Sequence, residues 1–429
     1  MKKIIALLLA CMMVAGVFAG CGSSDQAPET TAPAAPAGTD APAGTEAAEA
    51  QKITLKVWGP QEDQVDASSW LPTMCEQFNT AHPEWNITFE YAVCSEGDAG
   101  KNVTQDPSAA ADVYMFANDQ LGTLVQANAI AQLGGTYLDQ VLADNSDSMI
   151  ASVTGTDGGV YGVPFTANTW FMYYDKSVFT EDDIKSLDTM LEKGKVSFPL
   201  TNSWYIASFF YANGGTIFGD AGIDAAAGVN FGGEAGAAVT EYLVNLYNNP
   251  NFVVDADGSG MAGLRDGSVS AMFSGTWDAA GVQEALGDNF GAAQLPAITI
   301  GGEAKQMKSF AGSKAIGVNP NCQNMQAAVA LAVYLGSAEA QLAHYEMRGI
   351  IPTSLALTED PAIQADAVAL AQANTVANTS VVQPSIPEMN NYWTPAENFG
   401  KAIVSGEVTV ANAAEKTEAL NAALNNTGL

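Results

Sequence analysis

The sequence predicts an α/β protein that folds into at least two domains. Extended segments with alternating apolar residues are separated by segments with helical spacing, and this order is typical of α/β proteins. A chain of 429 residues is longer than one hydrophobic core usually supports. The hydrophobic content of 48% is ordinary for a globular protein. The mean hydropathy is near zero, which excludes a polytopic membrane protein.

The first part of the body alternates strands and helices. Residues 53–58 and 85–93 alternate apolar and polar side chains, so we predict a strand in each. Between them, residues 69–81 place apolar side chains at helical spacing and predict a helix. A short apolar strand at residues 112–116 precedes a helix at residues 119–128. Because helices separate these strands, we expect a parallel sheet.

The rest of the chain also contains predicted strands and helices. Further strands are predicted at residues 160–165, 169–174, 269–273 and 315–318. Further helices are predicted at residues 181–192, 204–212, 234–247, 325–335, 338–345 and 362–373. An alanine-rich tail at residues 398–424 is predicted to be helical.

The charge is strongly acidic, which excludes several classes of function. Lys and Arg total 16 against 47 Asp and Glu, a formal net charge of −31. Nucleic-acid-binding proteins neutralise phosphates with clustered basic residues, and this chain has only two arginines, Arg265 and Arg348. Its two histidines, His82 and His344, leave little room for a Ser-His-Asp enzyme or a histidine-rich zinc site. We therefore expect a neutral ligand, no nucleic acid, no metal and no cofactor.

The N-terminus is predicted to be an export and anchoring signal. Two lysines precede an unbroken apolar run that ends in Ala-Gly before Cys21, and this order resembles a bacterial lipoprotein signal. Residues 1–20 would be the signal peptide and Cys21 the lipidated residue. Residues 21–51 form a linker that is predicted to be disordered, because it has no aromatic or branched aliphatic side chain to bury. The alternative is an uncleaved membrane anchor.

Three cysteines remain in the body, namely Cys75, Cys94 and Cys322. An odd number on an exported protein cannot all pair internally. Either Cys75 and Cys94 form a disulfide, or all three are small buried hydrophobic residues.

Residues 255–266 contain two motifs that suggest a ligand site. Residues 258–263 match G-x-G-x-x-G, but three residues separate them from the nearest apolar pair, whereas a dinucleotide site needs the glycines directly after a strand. The same stretch half-matches a calcium-binding EF-hand loop, with Asp266 where the motif has glutamate. We favour a third interpretation, in which the acidic residues stabilise the start of a helix.

Three tryptophans are more informative. Trp204, Trp277 and Trp393 each lie beside small polar residues, at points where a strand or loop leads into a helix. Binding clefts of α/β proteins collect side chains at such points. Flat aromatic faces suit the apolar faces of pyranose rings, while neighbouring amides and carboxylates bind the hydroxyls. Each tryptophan alone could be a core residue, but the set favours a sugar cleft.

With these features, the sequence resembles the extracellular solute-binding proteins of carbohydrate ABC transporters, and is most similar to their maltose/maltodextrin-binding branch. The resemblance runs from about residue 53 to the C-terminus and rests on the order and spacing of eight motifs. They are VWGPQED (57–63), DVYMFAND (112–119), YGVP (161–164), YDK (174–176), ANGG (212–215), FSGTW (273–277), QLP (294–296) and IPEM (386–389).

The resemblance implies a two-lobed, periplasmic-binding-protein-like fold of type II, with the ligand cleft between lobes joined by a hinge. The N-terminal lobe would comprise residues 52–166 and 315–362, and the C-terminal lobe residues 167–313 and 366–429. The protein would be a non-catalytic, monomeric lipoprotein of Gram-positive type on the extracellular face of the cell membrane. It would capture maltose or malto-oligosaccharides and deliver them to the ABC transporter permease.

The resemblance also implies the residues that bind the sugar. Aromatic platforms fall on Trp204, Trp277 and Trp393, with Phe116 where the family has a tryptophan. The remaining contacts are the hydroxyl-binding carboxylate and its polar neighbours, which fall on Asp119, Gln120, Asn168, Asn202 and the loop residues Gln61, Glu62 and Asp63. Several depart from the family, since Gln120 replaces an arginine, the two asparagines replace glutamates, and the lysine of the first loop has no counterpart.

Three other functions stay open at this point. The same fold could bind another oligosaccharide or a different neutral solute, since loop chemistry rather than fold sets the ligand. Paired carboxylates such as Glu62 and Asp63 could serve a surface glycoside hydrolase. An adhesion or scaffold lipoprotein is the third alternative.

Overall fold

The computed structural model describes residues 50–426. The predicted signal peptide, Cys21 and nearly all of the predicted linker lie outside the described residues. Within residues 50–426, no helix is both long and apolar enough to cross a membrane.

The described chain contains fifteen strands. In chain order they are β1 (Gln51–Gly59), β2 (Trp85–Val93), β3 (Val113–Ala117), β4 (Val163–Thr169), β5 (Phe171–Asp175), β6 (Val196–Phe198), β7 (Thr216–Ile217), β8 (Val229–Asn230), β9 (Phe252–Val254), β10 (Ala271–Ser274), β11 (Phe290–Ala293), β12 (Ala297–Ile300), β13 (Glu303–Gln306), β14 (Ser309–Val318) and β15 (Ser380–Val382).

Sixteen α-helices occur in the same part of the chain. They are α1 (Trp70–Ala81), α2 (Ala99–Gln105), α3 (Leu121–Gln126), α4 (Gly135–Asp144), α5 (Asp147–Ser152), α6 (Leu187–Lys193), α7 (Ser203–Ala212), α8 (Gly233–Tyr247), α9 (Ser259–Asp266), α10 (Ala279–Leu286), α11 (Met325–Leu335), α12 (Ala338–Arg348), α13 (Pro361–Gln364), α14 (Ala367–Asn378), α15 (Trp393–Val404) and α16 (Ala413–Leu424).

Two mixed sheets organise these elements. The first sheet has the strand order β15-β14-β3-β1-β2, with β4 also paired to β14. The second has the order β11-β5-β10-β6-β9. The parallel pairing predicted for the first strands is confirmed, since β1 pairs in parallel with both β2 and β3. Neither sheet is parallel throughout, however. In the first sheet β14 returns antiparallel to β3 and β4, and in the second β5 runs antiparallel to β10 and β11.

Each sheet is covered by its own hydrophobic core. Leu55 of β1 and Phe78 of α1 are fully buried in the first core. Phe198 of β6, Phe209 of α7 and Leu243 of α8 are fully buried in the second. Burying a large apolar side chain contributes about 1.5–3 kcal/mol, so each sheet has its own source of stability.

Two antiparallel strands, β4 and β14, connect the cores. Ile316 of β14 is buried in the first core and Phe310 of the same strand in the second. Phe165 of β4 belongs to the first core, and Trp170, directly after β4, belongs to the second. The chain crosses between the cores again before α14, whose Val368 packs in a cluster with Phe171 of β5.

Most predicted elements are confirmed. The strand at residues 85–93 and the helix at residues 325–335 have the predicted bounds. Three predicted helices are each divided in the structure. The helix predicted at residues 181–192 is divided into a 3-10 turn at Asp183–Lys185 and α6, because Ser186 between them is extended. The tail forms α15 and α16, because Gly406 adopts a left-handed φ of 77° after α15. The segment at residues 362–373 is divided into α13 and α14, because the Asp366 side chain accepts hydrogen bonds from the first backbone N–H groups of α14.

Cys75, Cys94 and Cys322 are all buried free thiols. The disulfide alternative is therefore wrong, and the second alternative, three small buried residues, is confirmed. Burial raises the pKa of the Cys75 thiol to about 12.

Residues 255–266 form a helix entry, as favoured from the sequence. Asp255 Oδ1 accepts a hydrogen bond from the backbone N–H of Gly260 at 2.9 Å and another from the Ser259 hydroxyl at 3.2 Å. Both donors belong to the first turn of α9. The carboxylate is therefore used to start the helix.

Candidate functional site

A cleft lies where strands of both sheets end. Two contiguous cavities form it, with volumes of about 900 Å³ and 450 Å³, and both are lined by Glu96 and Lys314. Glu62 and Glu96 follow β1 and β2, Asp119 follows β3, and Trp277 follows β10. This is the edge of an α/β sheet at which ligands usually bind, because the loops there are free to vary while the strands stay fixed.

The smaller cavity brings together five residues predicted from the sequence. It is lined by Asp119, Gln120, Asn168, Trp204 and Trp393. Both indole rings are half-buried, so part of each aromatic face is open to the cavity. The arrangement offers flat apolar surfaces beside amide and carboxylate groups, which is the chemistry that a pyranose ring requires.

The larger cavity brings together three more predicted residues, Glu62, Asp63 and Trp277. The Trp277 side chain is 47% exposed, and its ring centroid lies 6.0 Å from that of Trp204. Because Trp204 lines the smaller cavity, the two rings make the aromatic surface continuous from one cavity to the other.

Asp63 is fixed by a buried polar contact at the cleft. Its Oδ1 lies 3.0 Å from His344 Nε2, and both residues are 2% exposed. The His344 ring stacks on Trp70 with centroids 3.9 Å apart, and Trp70 Nε1 donates to the carbonyl of Ala340 at 2.8 Å. Arg348, one turn after His344 on α12, approaches the same carboxylate oxygen at 3.8 Å. These contacts hold the loop after β1 against α12.

The carboxyl group of Asp119 has a raised pKa. Burial raises the pKa of its carboxyl group above the ordinary value of 3.8, while a hydrogen bond from Gln120 Nε2 at 2.9 Å acts in the opposite direction. The group can therefore change its charge at a higher pH than an exposed aspartate.

Three predicted residues do not line either cavity. Gln61 is an exposed residue at the start of the 3-10 turn that carries Glu62 and Asp63. Phe116 is fully buried in the first core, because β3 lies between β14 and β1 and all five of its positions are buried. Asn202 caps α7 by accepting a hydrogen bond from the backbone N–H of Trp204 at 2.9 Å. Asn202 therefore contributes to the position of Trp204 and not to the lining of the cleft.

Sequence reasoning missed several residues of the cleft. Glu96 could have been found, since it lies a few residues after a predicted strand, as Asp119 and Glu62 do. Lys314 and Gln383 could not, since Lys314 lies within a strand and Gln383 follows the short strand β15, which has no clear sequence pattern. Asn390 and Arg348 also line the cleft.

The chain matches a known protein family over most of its length. The family model described as bacterial extracellular solute-binding protein matches residues 73–371, more than half of the chain. The chain belongs to this family. The resemblance inferred from the sequence motifs is thereby confirmed at the family level.

Relatives of this solute-binding protein include two with named ligands. The galactooligosaccharide-binding protein of Bacillus subtilis (strain 168) is 28% identical over 318 residues, covering 69% of this chain and 72% of the relative. The maltooligosaccharide ABC transporter solute-binding lipoprotein of Streptococcus pneumoniae (strain ATCC BAA-255 / R6) is 26% identical over 321 residues. This match covers 71% of this chain and 74% of the relative.

Solved structures confirm the two-lobed α/β fold. A structure described as being with acarbose is 54% identical, with a TM-score of 0.84, covering 88% of this chain and 100% of that one. The maltodextrin-binding protein MalE1 from L. casei BL23, solved without ligand, is 25% identical, with a TM-score of 0.79. This match covers 87% of this chain and 99% of that one. The family and these neighbours are transport-related binding proteins rather than enzymes.

Proposed function

We propose that this solute-binding protein captures malto-oligosaccharides in its cleft and delivers them to an ABC transporter permease. One observation carries the proposal. Trp204, Trp393 and Trp277 meet Asp119 and Asn168 around two contiguous cavities, although these residues come from distant parts of the chain. Relatives and neighbours that bind maltooligosaccharide or maltodextrin support it.

Binding would combine stacking with hydrogen bonding. The indole rings would cover the apolar faces of successive sugar units, and Asp119 would accept hydrogen bonds from hydroxyl groups. Asn168 and Gln120 would contribute neutral donors and acceptors. Glu62 and Asp63, from the loop after β1, would bind hydroxyls in the larger cavity.

We assign the two lobes to residues 52–166 with 315–362 and to residues 167–313 with 366–429. The distribution of the hydrophobic cores supports this division. In this proposal β4 and β14 form the hinge, and sugar bound between the lobes favours the closed state, as in other proteins that close about a hinge. The permease would recognise that closed state.

We also propose that lipid on Cys21 holds the protein at the outer face of the cell membrane and that residues 21–51 act as the tether. In this proposal the protein is a monomer without catalytic activity. The lipoprotein name of the streptococcal relative supports the anchor. Metabolic labelling with a palmitate analogue in wild type and a Cys21→Ala variant tests it, and equal labelling of the two would contradict it. A reducing-end assay with maltotriose tests the absence of hydrolysis.

Titration with maltotriose tests the proposed ligand. We expect quenching of tryptophan fluorescence and an increase in Tm, since a ligand that binds the folded state stabilises it. Trp277→Ala and Trp393→Ala should each cost at least ~1 kcal/mol of binding, as desolvated aromatic anchors do. Trp85→Phe is the matched control, because Trp85 lies on β2 and outside the residues that line the cleft. Unchanged affinity in both alanine variants would remove those two tryptophans from the site.

A galacto-oligosaccharide is the second candidate ligand. The Bacillus subtilis relative that binds this class matches the chain at 28% identity, slightly above the streptococcal maltooligosaccharide-binding relative. A thermal-shift screen of both sugar classes, matched in chain length, separates the candidates. The class that raises Tm more at equal concentration is the preferred ligand, and no shift with any neutral oligosaccharide would reject both.

A further inference from the structure

A charged pair lies at the boundary between the two cavities of the cleft. Lys314 Nζ contacts Glu96 Oε1 at 3.1 Å, and both residues line both cavities. Their side chains keep 25% and 11% of their surface exposed, so the pair is largely buried but still reachable from the cleft. A chain of sugar units that extended through both cavities would pass over this pair.

Lys314 is an unusual residue for its strand. Every other position of the ten-residue strand β14 is buried, and Lys314 is the one that keeps partial exposure. The pairing of β14 with β4 shifts register between Lys314 and Ala315. Such irregularities commonly redirect a side chain next to a binding site. A lysine in an otherwise buried strand is costly unless its charge is used.

The pair has unused hydrogen-bonding capacity. A lysine ammonium group has three donors, and Glu96 is the one hydrogen-bond acceptor that Lys314 Nζ contacts within residues 50–426. Glu96 Oε2 makes no hydrogen bond within the same residues. Two donors and one carboxylate oxygen therefore remain for a polar group in the cleft.

We propose that Lys314 and Glu96 contact the ligand and form hydrogen bonds with the hydroxyl groups of the sugar unit at the boundary of the two cavities. This inference rests on the proposed function and adds a specificity-determining contact to it. Lys314 donates to a hydroxyl or ring oxygen, and Glu96 accepts from a neighbouring hydroxyl. The pair supplies charge-assisted hydrogen bonds in a cleft whose other predicted contacts include neutral amides at Gln120 and Asn168.

A purely structural role predicts a different outcome. If the pair only ties the turn after β2 to β14, removing one partner should lower both stability and affinity, because a buried charge is left without its partner. Removing both charges together should then restore both properties. If the pair binds ligand, the double variant should regain stability but not affinity.

The test uses Lys314→Met, Glu96→Met and the double variant, each titrated with maltotriose and melted without ligand. We expect Lys314→Met and the double variant to lose about tenfold or more in affinity, the range for hydrogen bonds to charged groups. The double variant should recover a Tm close to that of wild type. Lys305→Met is the matched control, since Lys305 pairs with Glu303 at 2.7 Å on the hairpin β12–β13, outside the cleft lining. It should bind as wild type does.

The outcomes are separable. If wild type binds maltotriose and the double variant binds it with the same Kd, this inference is overturned and the proposed function stands. If wild type binds none of the neutral oligosaccharides, the proposed function fails and the inference fails with it.

Discussion

The indole Nε1 of Trp204 donates a hydrogen bond to Gln383 Oε1 at 2.6 Å. Gln383 is 2% exposed and lies beside the smaller cavity, and its backbone N–H donates to the carbonyl of Ala311 in β14. The contact fixes the plane of the Trp204 ring relative to the first sheet. Gln383 is therefore a positioning residue for an aromatic surface of the proposed binding site.

Replacing Gln383 by leucine should weaken sugar binding. The indole N–H would lose its partner, at a cost of about 1 kcal/mol, and the ring would be free to rotate. We expect about a fivefold increase in Kd for maltotriose, measured by isothermal titration calorimetry. Gln364→Leu on the exposed surface of α13 is the control, and equal Kd values for the two variants would contradict the prediction.

Trp277 depends on a glycine for its position. A Cβ atom at residue 275 would lie 2.1 Å from the Trp277 ring, so Gly275→Ala must displace the indole. We expect weaker sugar binding and a shifted tryptophan emission maximum. Gly134→Ala is the matched control, because a Cβ there meets nothing within 4 Å. Wild-type affinity in Gly275→Ala would show that the ring position does not matter for binding.

Sugar binding should weaken as the pH falls. Burial raises the pKa of Asp119 above 3.8, so this carboxylate is protonated at a higher pH than an exposed aspartate. The ionised form accepts hydrogen bonds from two hydroxyls, whereas protonation turns one of its oxygens into a donor. Affinity should therefore be full at neutral pH and decline as the pH falls through the raised pKa. Kd measured between about pH 7 and pH 4 checks this.

Asp119→Asn provides the control for that pH profile. The variant should bind more weakly at neutral pH, and its affinity should change less with pH, since the titrating group is absent. A decline with pH as steep as that of wild type would assign the effect to another group.

Asp183 should make the protein sensitive to acid. A hydrogen bond from Lys193 Nζ at 2.6 Å is the main cause that lowers the pKa of Asp183 to about 2. Because the folded-state pKa lies below the unfolded value of about 3.9, the stabilisation is present above that value and is lost as the pH falls toward 2. Lys193→Met should lower Tm at neutral pH, and the difference from wild type should shrink below about pH 4.

Lys185→Met is the matched control for this prediction. Lys185 pairs with Asp182, but the two side chains are 73% and 90% exposed, so solvent screens the pair and its loss should change Tm little. An equal loss of Tm in the two variants would show that the pair at the buried Asp183 stabilises the fold no more than the exposed pair does.

The predictions of helices and strands were correct where the sequence pattern was local. The apolar spacing of α1 and the alternation of β2 lie within short windows, so periodicity was sufficient. The helices α2, α4 and α5 were not predicted, and only one to three residues of each are buried. The sequence of α4 nevertheless places Leu138, Val141 and Leu142 at helical spacing, so this helix could have been found. Eight of the predicted site residues line the cleft. Phe116 lies in the core instead, because all five positions of β3 are buried and a correspondence in sequence does not show that burial.

The sequence by itself determined the α/β class, the family and the three tryptophans of the cleft, because periodicity, composition and motif spacing are properties of neighbouring residues. Only the tertiary structure decided that β14 runs antiparallel and that its Lys314 meets Glu96, 218 residues away along the chain. It also decided that Gln383 holds Trp204. These contacts depend on how separate segments pack, and no local pattern encodes a pairing at such a distance.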